Sequence, residues 1–156
     1  MTYALRLLPA AYLLTIAGCQ QPPSEAALPV TETFRDFGEY VVHFNAVTSS
    51  QLSPEIALRH GIIRSASRAM LTVSIIEKEA GAVGTPVAAT VTASAVNLNG
   101  QLKNVTIREI SEDGSFYYIG DCGVADEETL IFTIEVTPTG ETTPFSIRYR
   151  KQFFRD

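Results

Sequence analysis

From Gly38 onward the chain alternates apolar and polar residues with a period of two, in runs rich in β-branched and aromatic side chains. Successive side chains of a strand point to opposite faces, so such a run buries one face and leaves the other to water. Tyr40, Val42, Phe44 and Ala46 share one face, with Val41, His43, Asn45 and Val47 on the other. Ala69, Leu71, Val73 and Ile75 define a second strand, and Val87, Ala89, Val91, Ala93 and Ala95 a third. Residues 102–110 and 116–124 read as a hairpin around Glu112-Asp113-Gly114, a sequence suited to a tight turn. Leu130, Phe132, Ile134 and Val136 mark the next strand, and Phe145, Ile147, Tyr149 and Phe153 the last, beyond Pro138-Thr139-Gly140.

One segment breaks the alternation. In residues 53–60, Ser53 can cap a helix, Pro54 suits its first position, Glu55 suits its positive end and Gly61 its stop. This predicts a helix of a turn or two. About seven strands with turns every 8–12 residues predict an all-β domain, an immunoglobulin-like antiparallel β-sandwich with one short helix. A small barrel is the alternative.

The first 18 residues differ from the rest. Arg6 and the free amine precede an apolar stretch over residues 7–16, and the small residues Ala17 and Gly18 stand before Cys19. That is a secretory layout, with an apolar stretch too short to span a bilayer as a helix. Ile16-Ala17-Gly18-Cys19 resembles the lipobox of bacterial lipoproteins, in which the cysteine thiol is acylated and a peptidase cuts before it. The expected organisation is a lipoprotein signal peptide over residues 1–18, a flexible tether over 19–33 rich in Pro and small residues, and the β domain over 34–156. Cys19 is the expected lipidation site, and two or three acyl chains suffice for stable membrane anchoring. Gln20, rather than Asp, after the cysteine directs the expectation to the periplasmic side of the outer membrane.

With Cys19 lipidated, Cys122 has no intrachain partner, so no disulfide framework is expected. Phe116, Tyr118, Gly120 and Val124 share its parity, which points Cys122 into the core as a buried structural thiol. The formal charge of −5 offers no clustered Lys and Arg for nucleic acid, and no nucleic-acid partner is expected. There are two histidines, His43 and His60, and no GxSxG elbow. No histidine follows Cys122, as a blue-copper site would require, and no zinc-type cluster or phosphate-cradling glycine loop is visible. No catalytic residue, metal or cofactor is therefore expected.

The remaining signal is polarity where folding does not demand it. The segment from His60 to Arg68 carries Arg64, Ser65, Ser67 and Arg68, and loops on a rigid β scaffold commonly carry binding residues. A solvated connection, with Arg64 bonding carbonyls or Glu109, is the plainer reading of the same residues. Arg148 and Arg150 alternate with Ile147 and Tyr149 and suit a charged exposed face that discourages edge pairing.

Three groups of segments carry a resemblance. They are Gly38-Glu39-Tyr40-Val41-Val42-His43-Phe44-Asn45-Ala46, then Leu52-Ser53-Pro54-Glu55-Ile56-Ala57 with Gly61-Ile62-Ile63-Arg64-Ser65, and Pro144-Phe145-Ser146-Ile147-Arg148-Tyr149. Together with Gly100-Gln101-Leu102 and Arg108-Glu109-Ile110, they resemble a bacterial family known as domain of unknown function 4426, over about residues 34–156. The resemblance implies a small exported envelope protein and supplies no catalytic residues.

The function expected from these readings is a non-enzymatic binding or assembly module on a lipid anchor at Cys19. Its contacts to an envelope protein or ligand would be His43, Asn45, Arg64, Ser65 and Arg68. Two alternatives stand beside it: a small-molecule or hydrolytic pocket using His43 with a carboxylate such as Glu109, and a structural spacer.

Overall fold

A computed structural model describes residues 32–155. The signal peptide expected over residues 1–18, the lipidation site Cys19 and all but the last two residues of the expected tether lie outside the described residues.

The strands are β1 (Phe34–Asp36), β2 (Tyr40–Thr48), β3 (Arg68–Glu77), β4 (Thr85–Pro86), β5 (Ala89–Asn97), β6 (Leu102–Glu112), β7 (Ser115–Gly123), β8 (Thr129–Pro138) and β9 (Phe145–Gln152). A 3-10 turn (Ser49–Gln51) and a single helix, α1 (Pro54–Arg59), lie between β2 and β3. All strand pairings are antiparallel, in the order β1-β2-β3-β7-β6-β5-β8-β9, with β4 pairing β3 beside this path. The strands beyond the expected seven are the short β1 and β4.

The all-β class holds, but the pairing is continuous: one nearly barrel-shaped sheet in place of the two separate sheets of an immunoglobulin-like sandwich. The strand that joins the halves is β6. Its Leu102–Val105 half pairs with β5, and its Thr106–Glu112 half pairs with β7. Alternation along β6 is the same in both halves, so the sequence pattern carries no mark of the change of partner. Where the ends of the sheet meet, aromatic side chains make the contact. Phe37 stacks on Phe145 with centroids 4.5 Å apart, and the Phe44 ring meets Tyr149 edge-on at 5.1 Å.

The core contains the faces that alternation assigned to it: Val42, Phe44 and Ala46 of β2, Leu71, Val73 and Ile75 of β3, and Phe132, Ile134 and Val136 of β8. Burial of each large apolar side chain contributes roughly 1.5–3 kcal/mol. Cys122 is a buried free thiol, as its parity implied, and burial pushes its pKa up. The β6–β7 turn has Asp113 at φ 49° and Gly114 at φ 76°. Both central residues are thus left-handed, as a two-residue hairpin turn matched to strand twist requires. Helix α1 begins where expected, with Ser53 Oγ accepting the Ile56 N–H at 3.2 Å and Pro54 in the first turn.

Candidate functional site

The outward residues of β2, β3, β7 and β6 form rows across the sheet. Asn45, Thr72, Ile119 and Arg108 make one row; Val47, Met70, Asp121 and Thr106 make the next. Residues 49–67 leave the end of β2, form α1 and return over this face to the start of β3. Met70 shows the effect: its parity points it outward, yet it is 6% exposed, because the strap covers it.

The strap is fixed by its own polar groups. Ser49, itself buried, accepts the Ser65 N–H at 3.0 Å, and its hydroxyl donates to the Ile63 carbonyl at 2.8 Å. Arg64 Nη2 donates to the Ser50 carbonyl at 2.8 Å. Ser65 and Ser67 share a hydroxyl contact at 2.8 Å, and His60 Nε2 lies 3.8 Å from Glu112 on β6.

Between strap and sheet lies a cavity of about 230 Å³. Met70 and Ile119 of the sheet and Ile62 and Ile63 of the strap give it apolar walls, and Arg68, Arg108 and Asp121 give it charge. Arg68 forms an ion pair with Asp121, each side chain a little over 40% exposed. At that exposure an ion pair contributes roughly 0–1 kcal/mol, so it does little for the fold. Beside it lies a second, more open depression of about 330 Å³, lined by Thr33, His43, Phe44, Asn45, Thr72, Ser74 and Tyr117. Thr72 borders it, and the strand partner of Thr72, Ile119, borders the first.

The family model for Domain of unknown function (DUF4426) matches residues 34–156. The chain belongs to the DUF4426 family. A crystal structure of a DUF4426 family protein (PA0388) from Pseudomonas aeruginosa PAO1 is similar at 35% identity with a TM-score of 0.68, over 79% of this chain and 94% of that one. FetP of uropathogenic E. coli strain F11, recombinantly expressed in the periplasm of E. coli BL21(DE3), is similar in fold at 13% identity. Its TM-score is 0.55, over 78% of this chain and 92% of FetP. No curated protein matches the chain.

In this DUF4426 domain the predicted residues divide into three sets. His43 and Asn45 line the open depression, with the Phe34 ring 6.1 Å from the His43 ring. Arg68 lines the roofed cavity, six residues along β3 from Ser74, the strand partner of His43, or about 20 Å at ~3.4 Å per residue. Arg64 donates to the Ser50 carbonyl and the Ser65 N–H to Ser49 Oγ, so both take part in holding the strap.

Glu109 does not approach His43. The row that holds Glu109 runs Phe44-Val73-Tyr118-Glu109, so His43, next to Phe44 on β2, lies three strands from Glu109 and on the opposite face of the sheet. Glu109 instead accepts the Tyr118 hydroxyl at 3.0 Å, and that oxygen accepts the Ala89 N–H at 2.7 Å. Desolvation, with Glu109 adding to it, raises the Tyr118 pKa.

Sequence reasoning missed Ser49, Met70, Arg108 and Asp121. One signal was present: Ala69-Met70-Leu71 places three apolar residues in succession on a strand whose outer face should be polar. Such a run marks a strand covered on both faces. For Arg108 and Asp121 no local signal distinguishes them from ordinary solvent-facing strand charges.

Proposed function

We propose that this DUF4426 domain is a non-enzymatic binding or assembly module of the cell envelope, tethered by lipid at Cys19 on the periplasmic side of the outer membrane. It engages its partner through the outer face of β2, β3, β7 and β6. The observation that carries the binding reading is the pair of adjoining depressions on that face. Both are lined by polar side chains, and one is roofed by a strap that leaves charged groups accessible. Lipid anchoring rests on Ile16-Ala17-Gly18-Cys19, and FetP, a distant fold neighbour, was expressed in the periplasm.

A photoreactive residue in place of Tyr117, 41% exposed and lining the open depression, tests the binding face in cells. One dominant protein adduct that disappears with Arg68→Ala is the expected result. No adduct above background from a folded, lipidated protein removes the assembly reading. Palmitate labelling tests the anchor separately: it should vanish in Cys19→Ala, and unchanged labelling overturns the anchor.

A further inference from the structure

We propose that the cavity beneath the strap is a receptor for a single carboxylate attached to a short branched aliphatic group. This rests on the reading of that face as a binding surface and names what its roofed part takes.

Three adjacent strands supply the charges. Arg68 of β3, Asp121 of β7 and Arg108 of β6 all face outward into the cavity. Asp121 is diagonal to both arginines in the strand register, because it pairs with Met70 on one side and Thr106 on the other. Arg68 is its partner. Arg108 makes no hydrogen bond or ion pair with any described residue. A guanidinium that lines a partly enclosed cavity and is not used by the fold is a donor fork without an acceptor.

Charge selects the class of anion. The two arginines and one aspartate sum to +1, which accommodates a monoanion. A doubly charged phosphate would meet Asp121 at close range. The planar fork of Arg108 also matches the two oxygens of a carboxylate, giving parallel charge-assisted hydrogen bonds.

Size and walls select the rest. At ~30 Å³ per water, 230 Å³ holds about seven to eight waters, the bulk of a small side chain with its carboxylate. Met70, Ile119, Ile62 and Ile63 present methyl and thioether groups, so the body of the ligand is aliphatic. A free acid and the C-terminal residue of a peptide share this chemistry.

The test is titration of the full chain, followed by amide NMR shifts at Ile119 and Asp121. The probes are N-acetyl-leucine, N-acetyl-leucinamide, a pentapeptide ending in leucine, the same peptide amidated, and inorganic phosphate. Saturable shifts with N-acetyl-leucine are expected, weakened about tenfold or more by amidation, since a hydrogen bond to a charged group carries that much discrimination. Arg108→Gln should abolish the preference for acid over amide, and Asp121→Asn, which frees Arg68, should tighten binding severalfold. Both are exposed or half-exposed surface changes, and circular dichroism of each variant verifies the fold. Tighter binding by the acid-ended pentapeptide than by N-acetyl-leucine assigns a polypeptide terminus; the reverse assigns a free acid. Equal binding of acid and amide, preference for phosphate, absence of any saturable shift, or indifference to Arg108→Gln overturns the proposal. A cross-link from position 117 alongside any of these failures leaves the binding face standing and removes only the carboxylate.

Discussion

The hydroxyl of Ser49 accepts the backbone N–H of Ser65, sixteen residues away, at 3.0 Å, and so ties the first residue after β2 to the last stretch before β3. Ser49 is 1% exposed, which leaves no water to replace it. Ser49→Ala should therefore cost about 1–3 kcal/mol, the penalty for a buried donor left unpaired. The loss should concentrate in the strap. Hydrogen exchange of the Ser65 amide should accelerate far more than that of Leu71, and uniform acceleration would show that the strap has no local role.

Gly120 is the narrow point of β7. A Cβ placed there would lie 2.7 Å from Val105 Cγ1 and 2.7 Å from Ile107 Cδ1. Ile107 can move the end of its chain, whereas branched Val105 cannot without a rotamer change. Gly120→Ala is expected to destabilise by about 1–3 kcal/mol through overpacking. Adding Val105→Ala should recover part of that loss, and a denaturant-based double-mutant cycle reads the coupling; strict additivity would contradict the contact.

Glu128 organises the crossing of the β5–β6 and β7–β8 connections. Desolvation pushes its pKa up, but the Ala125 N–H, the Asn97 amide and Lys103 outweigh it, and the net shift is downward. The Ala125 N–H lies 2.8 Å from the carboxylate and Lys103 Nζ 3.1 Å. A carboxyl with a lowered folded pKa stabilises the fold above its ordinary value near 4.5, and that contribution is lost as pH falls through the folded value. Glu128→Gln should cost about 1–2 kcal/mol at pH 7. The gap between variant and parent should close as urea unfolding is followed from pH 5 to pH 3, and a gap independent of pH would assign the cost to something other than charge.

Cys122 behaves oppositely. Burial raises its thiol pKa above the ordinary 9.0, with Lys103 opposing. The folded state then holds the proton longer than the unfolded one, so stability from this group is complete below about pH 9 and declines as pH rises toward the folded value. Native protein at pH 8 should react with a thiol reagent only at the rate of opening, and at full speed in denaturant. Rapid reaction of the native form would mean that the β3–β7 ladder admits solvent.

Much of the fold is legible in the sequence because strand faces and caps are local. The inward faces of β2, β3 and β8, the Ser53 cap and the Asp113-Gly114 turn each depend on residues a few positions apart. Which strands sit side by side depends on long-range pairing, and β6 keeps one alternation while changing neighbours at Val105–Thr106. The candidate site was legible in part for the same reason. His43, Asn45 and Arg68 face outward by parity, but the cavity exists only because Arg108 and Asp121 arrive from β6 and β7 beside β3. Arg64 and Ser65 stand in the sequence as polar loop residues with no local sign of the groups they bond. Only the position of Ser49 and Ser50 beneath them shows that they close the strap.

The strand order also governs how the chain can find this state. Five of the seven junctions in the β1-β2-β3-β7-β6-β5-β8-β9 path join strands consecutive in sequence, and two, β3–β7 and β5–β8, do not. The central meander of β5, β6 and β7 can therefore form on its own, but it must be captured along both outer margins before the core is sealed. Closing those two long loops is the slow search, of the kind that holds β domains to milliseconds or longer. Substitutions that weaken Leu71 against Gly120, or Ala93 against Ile134, should retard folding itself, whereas those within the β8–β9 hairpin should act chiefly on the rate of unfolding.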